Sequence, residues 1–373
     1  MPPGRSIVAI SLVGTVACGS PPAARPASGV AQSPTSGVAQ GPTSAASATA
    51  APAAPAASSP VSTPVVVPPP KSEAAAPAAT AHGRGSFPPP DAPPSRDASA
   101  LPDDGHWTPF GDARLHEVAA TDPPIIVRTV VHPHPKSRFV TVTVAAVDLA
   151  RVAVRFVPGT EDLLWAHVPL GESSGLVPAE DQKRLVAVMN GGFQPKHGHW
   201  GMVDGETVVA PPRDEGCTLG IVADGSVALA TFGRLPGAAR NFRVLRQTPP
   251  CLLEDGAVHP DLLRGNDKRW AGHAADLTTR RRSAVGLDAT GSILFYAIGE
   301  EADPRHLAEA LRRVGATAAA ELDINWYWTR FLLFGSASKR LEITSSLIPK
   351  MEHQPTSYVE RPSTRDFFYF VLR

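Results

Sequence analysis

Apolar and polar positions alternate along most of the chain after about residue 100. Short β-branched runs begin at Ile125 (IIVRTVVH), Arg138 (RFVTVTVAAVDL), Val152 (VAVRFVP) and Leu185 (LVAVMN), and each has the length and composition of a strand. The segment CTLGIVADGSVALATF, from Cys217, carries Asp-Gly at its centre, which is a hairpin signal. The pattern therefore predicts a domain built mainly of strands.

One segment, DPRHLAEALRRVG, has the periodicity of a helix. Asp303 can cap its amino terminus, Pro304 suits the first turn, and Gly315 can end it, while Leu307 and Leu311 fall on one face. A second hairpin pattern, AVGLDATGSILFYAIG, precedes this helix, and an apolar strand, TAAAELDI, follows it. We expect an α+β (mixed α/β) fold, as one strand-rich globular domain behind a disordered N-terminal linker.

The first 18 residues have the shape of an export signal. Arg5 precedes an apolar run from Ile7 to Ala17, and TVAC places small residues before Cys18, as in a bacterial lipobox. We expect a lipoprotein-type signal peptide over residues 1–18, with acylation of Cys18 and a membrane anchor at the outer membrane or cell surface. The alternative is an ordinary secretory signal that is cleaved nearby. Both interpretations export the protein.

Residues 19–100 differ in composition from the rest of the chain. They consist mainly of Pro, Ala, Ser, Thr, Gly and Val, and GVAQSPTS is followed at once by GVAQGPTS. Such a segment offers too little apolar surface to offset the entropy lost on ordering. We predict a disordered linker over residues 19–100 and a globular domain over residues 101–373, which are enough for a sizeable core.

The charge distribution argues against nucleic-acid binding, and the histidine spacing argues against a metal site. The 35 Lys and Arg residues equal the 35 Asp and Glu residues, and the basic clusters at 280–282 and 312–313 are isolated. We therefore expect no nucleic-acid partner. The His-x-His pairs at 132–134 and 197–199 have no acidic or cysteine ligand at a recognised interval, so we predict no metal and no cofactor.

Cysteine usage agrees with export. Acylation of Cys18 would leave two further cysteines, Cys217 and Cys251. In an oxidising compartment such a pair can form a disulfide, which we predict here. Two buried free thiols are the alternative, because sequence alone does not bring the two Cα atoms within bridging distance.

Four short motifs lie in order between about Leu185 and Phe334. They are an Asn-Gly-Gly-Phe turn at 190–193, a Gln-x-x-Pro segment and Asp-Gly turn within 247–256, an Arg-Ser-Ala-Val-Gly strand start at 282–286, and Leu322-Asp323 after the helix. In this order they resemble the phosphodiester glycosidase family. Family members commonly continue the last motif with Gly-Gly-Gly-Ser, whereas this chain reads Ile-Asn-Trp-Tyr at 324–327.

The resemblance implies a hydrolase that cleaves a sugar-1-phosphodiester. Asp323 would be the catalytic carboxylate, which stabilises an oxocarbenium-like transition state or acts as nucleophile or base. Arg282 would hold the phosphate through its planar guanidinium. The other expected contacts to the carbohydrate or sugar-phosphate ligand are Asn190, Gly191, Gly192, His199 and Trp326.

A second function is compatible with the same motifs. Bulky aromatic residues replace the glycine-rich loop, and aromatic rings stack well on sugars. The alternative is therefore a catalytically inactive lipoprotein that binds carbohydrate or cell envelope on the same fold. A hydrolase requires Asn190, Arg282 and Asp323 to converge in one cleft, whereas a remodelled binding protein does not.

Overall fold

The computed structural model describes residues 86–93, 104–111, 124–134, 136–171, 174–235, 242–270, 280–337 and 340–373. All of them belong to one compact unit. The predicted signal peptide, Cys18 and most of the predicted linker lie outside the described residues. No helix in the described part of the chain is both long enough and apolar enough to span a membrane.

Strands make up most of the described secondary structure. In chain order they are β1 (Thr108–Pro109), β2 (Ile126–Val131), β3 (Val142–Asp148), β4 (Val152–Val157), β5 (Leu185–Asn190), β6 (Met202–Asp204), β7 (Thr207–Ala210), β8 (Cys217–Val222), β9 (Val227–Thr231), β10 (Phe242–Thr248), β11 (Leu253–Glu254), β12 (Ala257–Val258), β13 (Arg280–Asp288), β14 (Ile293–Ala302), β15 (Ala316–Ile324), β16 (Phe331–Ala337), β17 (Arg340–Ser346) and β18 (Phe367–Leu372). The helices are α1 (Thr160–Trp165), α2 (Ala179–Gln182), α3 (Pro260–Leu263) and α4 (Pro304–Arg313), with a short 3₁₀ turn at Phe232–Arg234.

The strands form three antiparallel sheets. The largest has eight strands in the order β1-β2-β3-β14-β13-β15-β11-β12, and the two five-stranded sheets have the orders β7-β6-β10-β8-β9 and β17-β16-β5-β18-β4. The strand-rich domain expected from the sequence is confirmed. Helices are few and short in the described residues, so the fold is mostly β rather than an even mixture of helix and strand.

Local sequence explains the hairpins and the longest helix. Gly225 and Gly291 have positive φ angles of 85° and 69° in the turns that join β8 to β9 and β13 to β14, a conformation in which glycine has no steric penalty. Asp303 caps α4 by accepting a hydrogen bond from the His306 backbone N–H at 2.7 Å. Leu307 on this helix is fully buried.

The eight-stranded sheet, which we call the central sheet, separates two apolar cores. Val285 of β13 and Tyr296 of β14 face the core that contains β5, β16 and β18, whereas Ala284 faces the core beneath α4, with Leu307. Successive residues of a strand point to opposite faces. The face that a β13 or β15 residue occupies therefore decides whether it meets β5 and β18 or the helix.

The packed domain begins before residue 100. Pro90 accepts a hydrogen bond from Trp107 Nε1 at 3.1 Å, and the Ala92 N–H donates to the Gly105 carbonyl at 2.9 Å. Phe87 packs against the core beneath α4. The predicted end of the linker at residue 100 is therefore too late in the chain, because these apolar and backbone groups are satisfied by the domain.

Cys217 at the start of β8 forms a disulfide with Cys251, which comes just before β11. The two Cα atoms are 4.7 Å apart, and both side chains are buried. The bond joins a five-stranded sheet to the central one and closes a separation of 34 residues. Disulfides of this kind stabilise a fold by about 2–4 kcal/mol, mainly by restricting the unfolded chain.

Candidate functional site

Asn190, the last residue of β5, connects four elements through its buried side-chain amide. Its Oδ1 accepts hydrogen bonds from the Tyr296 hydroxyl at 2.8 Å and from the Arg330 backbone N–H at 2.9 Å. Its Nδ2 donates to the Gly191 carbonyl at 2.8 Å and to Ser283 Oγ at 3.1 Å. The donors and acceptors of Asn190 are thus satisfied within the protein, and the side chain positions the surrounding chain.

Gly191 and Gly192 let the chain pass very close to two charged side chains. A Cβ on Gly191 would collide with the Asp366 carboxylate, and a Cβ on Gly192 would lie 3.0 Å from Arg246 Cζ. The Gly192 N–H donates to Asp366 Oδ2 at 3.1 Å, and its carbonyl accepts from Arg365 Nη2 at 3.2 Å. The two glycines are therefore required by the approach of backbone to buried ions.

A β-bulge turns Asp323 toward this glycine turn. Ala284 pairs with Glu321 and Arg282 pairs with Ile324, so two steps along β13 match three steps along β15. The extra residue falls at Leu322–Asp323, and such insertions redirect side chains. As a result the Asp323 N–H donates to the Gly191 carbonyl at 3.3 Å.

The Asp323 carboxylate is buried and forms an ion pair with Arg365. Oδ2 lies 3.0 Å from Arg365 Nη2, and Oδ1 accepts from the Ile324 backbone N–H at 2.8 Å. The side chain is only 6% exposed. Burial raises the pKa of Asp323 above its usual range, and the Arg365 guanidinium opposes that rise. Asp323 is therefore a buried carboxyl group whose ionised form is stabilised by one cation, Arg365.

A second buried ion pair, Arg246–Asp366, is connected to the first because Asp366 follows Arg365 in the chain. Arg246 Nε is 2.8 Å from Asp366 Oδ2, and neither side chain is exposed to solvent. Asp162 of α1 accepts hydrogen bonds at Oδ2 from the Asp366 N–H at 2.9 Å and from the Gly159 N–H at 3.2 Å. Burial, and then the nearby Asp366 carboxylate, raise the pKa of Asp162 to about 7, although Arg246 and Arg365 lower it.

This carboxyl group should make stability depend on pH. Folding raises the pKa of Asp162, so the folded state holds a proton that the unfolded state releases above about pH 4. The free energy of unfolding should consequently fall as the pH rises from about 4 to about 7. In Asp162→Asn the amide oxygen can still accept both backbone hydrogen bonds, so we expect a shallower decline. Urea unfolding of both proteins at pH 5, 6, 7 and 8 measures this, and parallel curves would contradict the assignment.

Arg282 does not lie with the buried ion pairs of Asp323 and Asp366. Its Nη1 donates to Glu321 Oε1 at 2.7 Å and to the Trp270 carbonyl at 3.1 Å, and the side chain is fully buried. Glu321 lies opposite Ala284, which faces the core beneath α4. The predicted role of Arg282 as a phosphate ligand is therefore not supported, because its guanidinium is committed to Glu321 on the other side of the sheet from the glycine turn.

The two other predicted ligand contacts lie at the surface, apart from the buried ions. His199 is exposed on the loop after the glycine turn, with its ring 5.7 Å from that of Trp165. Trp326 is 55% exposed and stacks on Arg281, whose Cζ lies 4.0 Å from the ring centroid. Neither side chain has a recorded hydrogen bond or ion pair with Asp323 among the described residues.

A pocket of about 210 Å³ is lined by Thr364, the residue before Arg365, and by side chains that follow Asp323 in sequence, whereas Asp323 and Arg365 themselves do not line it. Trp328 lines this pocket, and its ring also covers the Arg365 guanidinium, with Cζ 5.2 Å from the centroid. Tyr327, Arg330 and Arg361 form further parts of the wall. The segment that follows β15 thus supplies an aromatic and cationic wall of this pocket.

The described residues contain no group of three or more His, Cys, Asp or Glu side chains that could hold a metal ion. The side chains at the site that could act on a ligand are the buried Asp323 carboxylate, the guanidiniums near it, and the aromatic rings and the exposed Glu352 carboxylate of the pocket. Aromatic rings can stack on a sugar, and guanidiniums can hold an anion.

Sequence reasoning overlooked Arg246, Asp162, Arg365 and Asp366. The last two lie beyond the span of the four motifs, and their one local signal is an Arg-Asp dipeptide directly before the apolar run FFYFVL. Charged residues at the start of a fully buried strand need partners, and that requirement could have drawn attention to them. Arg246 likewise lies in a strand whose neighbours are buried.

The central part of the chain is similar to a known family. Residues 183–323 match the phosphodiester glycosidase family. Among solved structures, the auto-inhibited catalytic domain of zebrafish N-acetylglucosamine-1-phosphodiester alpha-N-acetylglucosaminidase is 15% identical, with a TM-score of 0.42, over 72% of this chain and 88% of that chain. A hypothetical protein from Synechocystis is 12% identical, with a TM-score of 0.39, over 66% and 62%. No curated protein sequence matched.

Proposed function

We propose that this chain, whose residues 183–323 belong to the phosphodiester glycosidase family, hydrolyses a sugar-1-phosphodiester. The observation that carries the proposal is the buried Asp323 carboxylate, 3.0 Å from Arg365, whose guanidinium is covered by the ring of Trp328; this ring also lines a pocket with aromatic and cationic walls. Aromatic rings suit the faces of a sugar, and guanidiniums suit a phosphate.

In this proposal water adds to the anomeric carbon as the bond from that carbon to the phosphate oxygen breaks. The free sugar and a phosphomonoester are released, and the proton of the water passes to solvent or phosphate. Asp323 stabilises the oxocarbenium-like transition state, or acts as nucleophile or base. Arg365 favours the ionised form of Asp323 and fixes its orientation. A second carboxylic acid is less necessary than in ordinary glycosidases, because the departing phosphate is already a stable anion.

The test is a direct measurement of sugar release. Full chain incubated with an N-acetylglucosamine-1-phosphodiester, and separately with UDP-N-acetylglucosamine, should liberate free N-acetylglucosamine above a no-protein blank. The side chains of the site do not indicate which sugar is bound, so glucose-1-phosphodiesters should be tested in the same assay. Binding of these ligands without release from any of them would contradict hydrolysis.

Two observations also support the alternative of an inactive carbohydrate-binding protein. Arg282, one of the three residues that a hydrolase was expected to bring together in one cleft, is instead paired with Glu321 on the other side of the sheet. Both Asp323 oxygens already have partners, Arg365 and the Ile324 N–H, and the side chain has little exposure. A carboxylate in this state could serve only to hold the chain in place. Ligand binding that is insensitive to loss of the Asp323 charge would favour this function over hydrolysis.

We propose further that the protein is exported and anchored to a membrane through Cys18. The TVAC segment and the Pro- and Ala-rich residues after it support this, as does the disulfide, which suits an oxidising compartment. Cys18→Ser should move the protein from the membrane fraction to the soluble fraction on cell fractionation. Membrane association that survives this change would contradict lipid anchoring.

A further inference from the structure

Arg330 is a buried cation that has no carboxylate partner among the described residues. Its side chain is 8% exposed and lines the same pocket as Trp328. Nε donates to the Tyr327 carbonyl at 3.0 Å and Nη1 to the Tyr358 hydroxyl at 3.2 Å. The rings of Tyr327 and Trp328 lie 5.1 and 5.6 Å from its Cζ. Every one of these partners is neutral.

The other buried arginines of the described residues provide an internal comparison. Each has an ion pair within 3.0 Å: Arg246 with Asp366, Arg281 with Glu300, Arg282 with Glu321 and Arg365 with Asp323. Among the described residues, no ion pair is recorded for Arg330. Buried charges are expensive unless they are paired, so the missing partner at the wall of an open pocket points to an anion from outside the chain.

The remaining charges of the pocket agree with this. Arg361 stands exposed at its rim, and Glu352, also exposed, is the one carboxylate among the lining residues. His353 is held by the Met351 carbonyl through Nδ1 at 2.7 Å. Two guanidiniums against one carboxylate make the pocket attractive to an anion, and guanidiniums match phosphate oxygens in geometry.

We infer that this pocket binds the phosphate of a phosphorylated sugar, with Arg330 as the fixed contact and Arg361 as the rim contact. The inference rests on the proposed function and assigns to Arg330 the role that the motifs gave to Arg282. The Trp328 ring lies against both Arg330 and Arg365. The proposed phosphate contact and the Asp323–Arg365 pair thus share one aromatic side chain, which would lie between the phosphate and the aspartate.

Binding measurements test this apart from turnover. Calorimetric titration of the full chain with UDP-N-acetylglucosamine should give an affinity about 10- to 100-fold weaker in Arg330→Gln, the range for losing one charge-assisted hydrogen bond in a buried site. Arg361→Gln, at an exposed position, should lose only several-fold. Arg138→Gln, an exposed arginine that lines none of these walls, should bind as the wild type does.

The outcomes separate this inference from the proposed function. Weaker binding in both pocket variants, with thermal unfolding of Arg361→Gln unchanged, supports the phosphate site even if no sugar is released by the wild type. Inorganic phosphate should compete with the nucleotide sugar in the wild type and not in Arg330→Gln. Wild-type affinity in Arg330→Gln and Arg361→Gln, or no binding of the nucleotide sugar by the wild type, would overturn it.

Discussion

Asp323→Asn should lower kcat/KM for a sugar-1-phosphodiester by about 10²- to 10⁴-fold, the range expected when a charged catalytic group is removed. The amide retains the shape of the side chain and can still accept the hydrogen bond from the Ile324 N–H. What it removes is the negative charge that the oxocarbenium-like transition state requires. The Kd of the substrate should therefore change little, and the loss should appear in kcat.

Glu321→Gln is the matched control for this substitution. Glu321 lies two residues earlier on β15, is equally buried and is ion-paired with Arg282 at 2.7 Å, but it faces the core beneath α4. We expect this variant to lose stability while its folded molecules keep kcat close to that of the wild type. An equal loss of kcat in the two variants, or sugar release that persists in Asp323→Asn, would remove Asp323 from the chemistry.

Local features of the fold were accessible from the sequence. The Asp-Gly turn before Val227 and the capped, amphipathic helix after Asp303 depend on neighbours within a few residues, and both are present. The fold is more β-rich than expected, because the strand content is spread over short segments whose pairings, such as β3 with β14, span long stretches of chain.

The composition of the site was less accessible. Arg282 and Asp323 are both buried residues of neighbouring strands, and only the one-residue bulge at Leu322–Asp323 sends them to different surroundings. Such an insertion leaves no signature in an apolar run. Arg365 reaches Asp323 because β18 pairs with β5, a contact between segments about 175 residues apart in sequence that no local pattern predicts.

The buried Arg246–Asp366 pair explains why the Asn-Gly-Gly turn keeps its shape. Asp366 holds the Gly192 N–H and Arg246, while Arg246 also donates to the Gln247 carbonyl at 2.6 Å and to the Phe193 carbonyl. Residues 190–193 are thus held from both sides by one ion pair. Removal of Arg246 or Asp366 should therefore disturb the turn and also destabilise the core.

Arg246→Met should reduce the free energy of unfolding by about 3–5 kcal/mol, because it leaves the Asp366 carboxylate buried without its cation. The double variant Arg246→Met/Asp366→Leu should cost clearly less than the sum of the two single changes, since no isolated charge remains. Urea unfolding of the four proteins gives this coupling directly, and additive costs would show that the pair does not act as a unit.

The loss of unfolding free energy in Arg246→Met should also depend on pH. Arg246 lowers the pKa of Asp162, so its removal raises the folded-state pKa of that carboxyl further while the unfolded value stays the same. Stability then declines over a wider pH interval as the pH rises, and the cost of Arg246→Met should be smaller at pH 5 than at pH 8. Unfolding measured at those two values decides the matter: an equal cost at both would mean that Arg246 acts through packing and hydrogen bonds rather than through its charge.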